Sequence, residues 1–121
     1  MKQILFERPE LAIDFRKVAL PLIEVIDFMS ETSWAMWKEL LFCTSIVRLR
    51  RLSETDTHFQ QRAPYRFVDF GILLRGDSEQ LRRRTNEAFP YDLVRPGLDT
   101  VPPLSHGTGP HLHVQCMSKG D

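Results

Sequence analysis

The stretch HLHVQCM at residues 111–117 constrains this chain more than any other. In an extended strand His111, His113 and Gln115 fall on one face, and Leu112, Val114 and Cys116 on the other. Such a strand needs an apolar layer beneath it, and it presents two imidazoles and an amide on the far side. A second segment, FVDFGILL at 67–74, divides the same way: Asp69 is out of phase with Val68, Phe70 and Ile72. The polar residues of both strands therefore point away from an apolar layer, towards a site that uses them.

A third strand is expected at 41–49, where LFCTSIVRL is rich in β-branched and aromatic residues. Helix is expected at 21–29, with Pro21 at its start and Ile23, Ile26 and Phe28 on its apolar side, and a further helical turn or two at 34–40. A later helix is capped by Asp77 with Gln80 three residues on. Leu81, Thr85, Ala88 and Phe89 form its inner stripe, Arg82, Arg83 and Arg84 lie on the solvated side, and Pro90 ends it. Residues 91–110 hold four of the eight prolines and three of the six glycines, which predicts a long ordered loop or lid. The mixture predicts an α+β chain. One domain is expected over 1–121, with a helical part at 1–40 and the sheet and loops at 41–117.

Composition narrows the function. The 121 residues carry 16 basic and 16 acidic side chains, so no global field favours nucleic acid or an anionic membrane. The longest apolar stretch, 18–29, is interrupted by Pro21, Glu24 and Asp27 and is too short to span a bilayer. The first ten residues, MKQILFERPE, carry charges where an export signal needs apolar residues, so a soluble chain made in a cytosol is expected. Two cysteines make no disulfide framework; Cys43 and Cys116 fall on apolar strand phases and are expected as buried thiols. Trp34 and Trp37 are expected in the core. Asp92 and Asp99 fit turn chemistry, and Arg48, Arg50 and Arg51 a solvated strand end.

Three of the four histidines, His106, His111 and His113, lie within eight residues, and the fourth is His58. Two imidazoles on one strand face can converge on a point, an aspartate on a neighbouring strand can meet them, and a loop histidine can complete the set. Catalytic zinc takes three nitrogen or oxygen ligands and leaves a fourth position to water. His58, Asp69 and one of His111 and His113 satisfy that count.

The run HGTGPHLHVQ, preceded by an H…YRFVDF element and a TSIVR strand, resembles the zinc peptidases of the D-Ala-D-Ala carboxypeptidase and Hedgehog-type family, especially small phage- or prophage-encoded members. The resemblance implies a small antiparallel sheet with helices packed on one face. It also implies zinc held by His58, Asp69 and His113, with Arg48 on the substrate carboxylate or oxyanion. The family's His–Asp spacing is shorter than the ten residues between His58 and Asp69, and its catalytic glutamate is replaced here by Pro110. The base would then be His111, as in the H-x-H pair of lysostaphin-type endopeptidases. His106 would stand behind the ligands or touch substrate. The implied activity is zinc-dependent hydrolysis of amide bonds in peptidoglycan stem peptides by a monomer, with neither nucleic acid nor membrane as partner. In a phage lysis enzyme, the chain would be made in the host cytoplasm and act at the wall.

Two other functions fit. A zinc-stabilised phage structural or accessory module would keep the ligands and lack turnover, which suits the missing glutamate. The H-x-H-x-Q strand also resembles the histidine-triad nucleotide hydrolases and transferases, in which His113 would attack an α-phosphate without metal.

Overall fold

The computed structural model describes residues 1–46, 63–89, 105–106 and 109–115. Its elements run β1 (Leu5–Phe6), α1 (Pro9–Phe15), α2 (Leu20–Trp37), β2 (Phe42–Ser45), β3 (Phe67–Phe70), α3 (Ser78–Ala88), β4 (Ser105–His106), β5 (Gly109–Pro110) and β6 (Leu112–Gln115). The class is α+β, as expected, but the main sheet is mixed rather than antiparallel. Its order is β1-β2-β3-β6, with β2, β3 and β6 antiparallel and β1 parallel to β2. The expected helical stretch 1–40 thus also contributes a strand. β1 is two residues long and shows no alternation over so short a run, so its pairing with Phe42 and Cys43 comes from the tertiary fold.

The helices at 21–29 and 34–40 are one helix. The polar run at 30–33 looks like an interruption because serine and threonine compete with helical hydrogen bonds. Ser30 and Ser33 are instead buried, extending the stripe Leu22, Val25, Ile26 and Met29 at helical spacing. Their hydroxyls donate to Asp27 O at 3.0 Å and Glu39 O at 2.8 Å, so neither is buried unsatisfied. This stripe differs from the expected one: Ile23 and Phe28 are only partly buried, with Phe28 in edge contact with Phe89. Lys38 ends the helix in the left-handed region, φ 53°.

In α3 the Asp77 carboxylate caps as expected, accepting from Glu79 N at 3.0 Å and Gln80 N at 3.3 Å. Leu81 and Thr85 are buried, whereas Ala88 is exposed. Arg83 and Arg84 are exposed, and Arg82 is paired with Glu79, whose carboxyl this holds below its ordinary range. Phe89, the residue before Pro90, has left the helical region at φ −130° and ψ 82°.

The expected strand 67–74 stops at Phe70. Gly71 N still bonds Phe42 O at 2.9 Å, but the next amides leave the ladder. Leu73 N donates to Ser78 Oγ at 2.7 Å, and the amides of Leu74, Arg75 and Gly76 all donate to the Glu39 carboxylate. With the alternation broken, Leu73 is buried and Ile72 is exposed, the reverse of the expected phase.

One face of the sheet is the core. Cys43, Val68, Phe70, Leu112 and Val114 pack with Leu11 of α1, the α2 stripe and Leu81 of α3. The helices therefore cover one face, leaving the polar residues of β3 and β6 on the other.

Candidate metal centre

The register of β3 and β6 builds the site. Val68 pairs with Val114 and Phe70 with Leu112 on the core face, which forces the intervening pair, Asp69 and His113, onto the opposite face. Phe67 and Gln115 form the next pair on that face, and His111 precedes β6 by one residue on the same side. Phe67 lies against the His113 ring with centroids 6.0 Å apart. On the other flank Ser45 pairs with Asp69 across an irregular step in β2, and Thr44 Oγ1 donates to Asp69 O at 3.5 Å.

The side chains converge as the alternation implied. His113 Nδ1 lies 2.8 Å from Asp69 Oδ1, and His111 Nε2 lies 3.8 Å from Asp69 Oδ2. His113 Nε2 lies 2.9 Å from Gln115 Oε1. The donor atoms of Asp69, His111 and His113 are all within 4.8 Å of one another. Two ligands of a tetrahedral ion with bonds of about 2.1 Å stand roughly 3.4 Å apart, and the two contacts to Asp69 bracket that value. The His113 side chain is 2% exposed, Asp69 12% and His111 15%. The group can therefore hold a metal ion, and one carboxylate with two imidazoles is the donor chemistry of zinc and its borderline neighbours.

Cys43 belongs to the core face. Burial pushes its thiol up to about 12, and its side chain packs in the core on the face opposite the histidines. Of the expected site residues, the structure brings together Asp69, His111 and His113. His58, Arg48, Arg50, Arg51, Asp92, Asp99 and Cys116 lie outside the described residues. His106 ends β4, whose backbone pairs with β5 just before His111; its side chain is not among those described. Gln115 is the participant the sequence left without a role, although alternation had already placed it on the histidine face.

An apolar groove of about 760 Å³ opens on the same sheet. Leu5, Trp34, Phe42, Thr44, Gly71 and Leu74 line it. Thr44 is the residue that reaches Asp69 O, and Gly71 follows Asp69 by two positions. Lys2 and Lys38 each hold an ammonium 5.6 Å from the Trp34 ring centroid. Trp34 is thus a groove wall, while Trp37 packs against the core.

No helix among the described residues is long and apolar enough to cross a membrane. Comparison with protein-family models, curated proteins and solved structures found no match to this chain.

Proposed function

We propose that Asp69, His111 and His113 hold one divalent metal ion, zinc by donor chemistry, and that the chain is a zinc-dependent hydrolase of amide bonds in peptidoglycan stem peptides. The observation that carries the metal reading is the meeting of one carboxylate and two imidazoles on the sheet face opposite the core. Among the described residues three such ligands meet, and a three-ligand set with water in the fourth position is the arrangement of catalytic rather than closed structural zinc. When bound there, zinc supplies Lewis acidity and a water acidified to a pKa near ~7. Asp69 contributes negative charge, and the two imidazoles contribute neutral donors, so the set offsets one of the two positive charges. The peptide substrate follows from the likeness of HGTGPHLHVQ and YRFVDF to the zinc peptidases.

The test is zinc content of the purified protein with release of free amines from peptidoglycan, with and without chelator. One zinc per chain and chelator-sensitive release are expected; zinc-independent release, or none, contradicts the hydrolase. His111→Ala separates two roles. As a third ligand its loss removes the metal; as a base, it leaves metal bound and abolishes turnover.

One observation favours a second reading. The His113 side chain is almost wholly buried and both its ring nitrogens already have neighbours, Asp69 and Gln115, which suits an ion that only braces the sheet. Stoichiometric zinc whose removal lowers the melting temperature, without hydrolysis at any metal load, would select this structural module. The same burial disfavours the histidine-triad reading, since a nucleophilic nitrogen must be reachable by a phosphate.

A further inference from the structure

We infer that Gln115 is a positioning residue that fixes the tautomer of His113, keeping hydrogen on Nε2 so that Nδ1 joins Asp69 as a metal donor. The inference rests on the metal reading above and adds which nitrogen binds and what holds it there.

Gln115 Oε1 only accepts, and with the amide oriented so that this oxygen lies 2.9 Å from His113 Nε2, Nε2 is the nitrogen that carries and donates a hydrogen. A neutral imidazole has one ring hydrogen. With that hydrogen on Nε2, Nδ1 presents a lone pair, and it faces Asp69 Oδ1 at 2.8 Å. A carboxylate oxygen also only accepts. Two acceptors at this distance repel unless a cation lies between them, a second ring proton in the metal-free protein or a metal ion once one is bound. A metal ion bound by Nδ1 and Asp69, with His111 Nε2 close to the other carboxylate oxygen, supplies that cation. Metal-bound histidines commonly donate their second ring hydrogen to a neighbouring acceptor, which orients the ring and raises ligand basicity. Gln115 meets that requirement from two residues along the same strand. The Phe67 ring lies beside the imidazole, with centroids 6.0 Å apart. The opposite amide orientation would donate to Nε2, place the ring hydrogen on Nδ1 and remove that atom as a ligand.

The test compares zinc affinity in the intact chain and in two variants, by competition with a chromogenic chelator. Gln115→Leu keeps similar bulk and removes the acceptor; zinc binding should weaken about 10–100-fold. Gln115→Glu restores an acceptor and should recover most of the affinity, which a merely structural role for the amide would not predict. A second readout needs no variant: nitrogen NMR of the zinc-loaded wild type should show His113 bound through Nδ1 with hydrogen on Nε2. Binding through Nε2, or equal zinc affinity in wild type and Gln115→Leu, overturns the role of Gln115 while leaving the metal site in place. A wild type that binds no zinc overturns the metal reading itself, and the inference with it.

Discussion

Asp69 sits where two demands meet. Its strand neighbours Val68 and Phe70 are fully buried in the core, so its own side chain is held rigidly on the other face, close to two imidazoles. Replacing it by asparagine preserves shape and removes the charge that faces the ion. Asp69→Asn should retain the circular dichroism of the wild type and bind zinc at least ten-fold more weakly by equilibrium dialysis; unchanged affinity would remove Asp69 from the ligand set. On the core face Cys43 behaves in the opposite sense. Its thiol is raised by burial from 9.0 to about 12, so the native chain keeps the proton that the unfolded chain releases. The stabilisation is fully present below pH ~9 and is lost as pH rises through about 12, because the unfolded state then binds fewer protons than the native one. Urea midpoints should therefore fall above pH ~9, and Cys43→Ser should flatten that fall. Iodoacetamide at neutral pH should leave Cys43 unmodified until the chain is unfolded, as peptide mass spectrometry would show.

The helix α3 and the loop before it show how side chains set element boundaries. Asp77 satisfies two amides of the first turn, and Asp77→Ala should cost about 1 kcal/mol of unfolding free energy in denaturant titration. Gly76 lies so close to Trp37 that a Cβ would stand 2.5 Å from the ring. Gly76→Ala should destabilise by roughly 1–3 kcal/mol, since the indole must move from its packed position; a neutral effect would mean that Trp37 is loosely held. The cap of α3 was legible because it depends on residues two and three apart. The length of α2 was not, because the hydroxyls of Ser30 and Ser33 are satisfied by Asp27 O and Glu39 O, an outcome set by packing. The end of β3 was hidden for a similar reason: Glu39, more than thirty residues earlier, takes the amides that would have continued the strand.

Across the molecule, the division between an apolar and a polar sheet face organises everything described. Strand period alone placed Asp69, His111, His113 and Gln115 on one side, and the pairing of β3 with β6 brought them into contact. Sequence could supply the faces because alternation is local. It could not supply the order β1-β2-β3-β6, nor the parallel β1, because a two-residue strand has too little pattern to announce its partner. Nor could it give the pairing of His113 Nε2 with Gln115, which requires the actual rotamers. The metal content of the purified chain tests the proposed centre most directly, read by plasma emission alongside His113→Ala after loading with zinc and removal of the excess. One zinc per wild-type chain and none in a folded His113→Ala is the expected result. A zinc-free wild type, or full occupancy in the variant, would show that these residues do not form a metal centre.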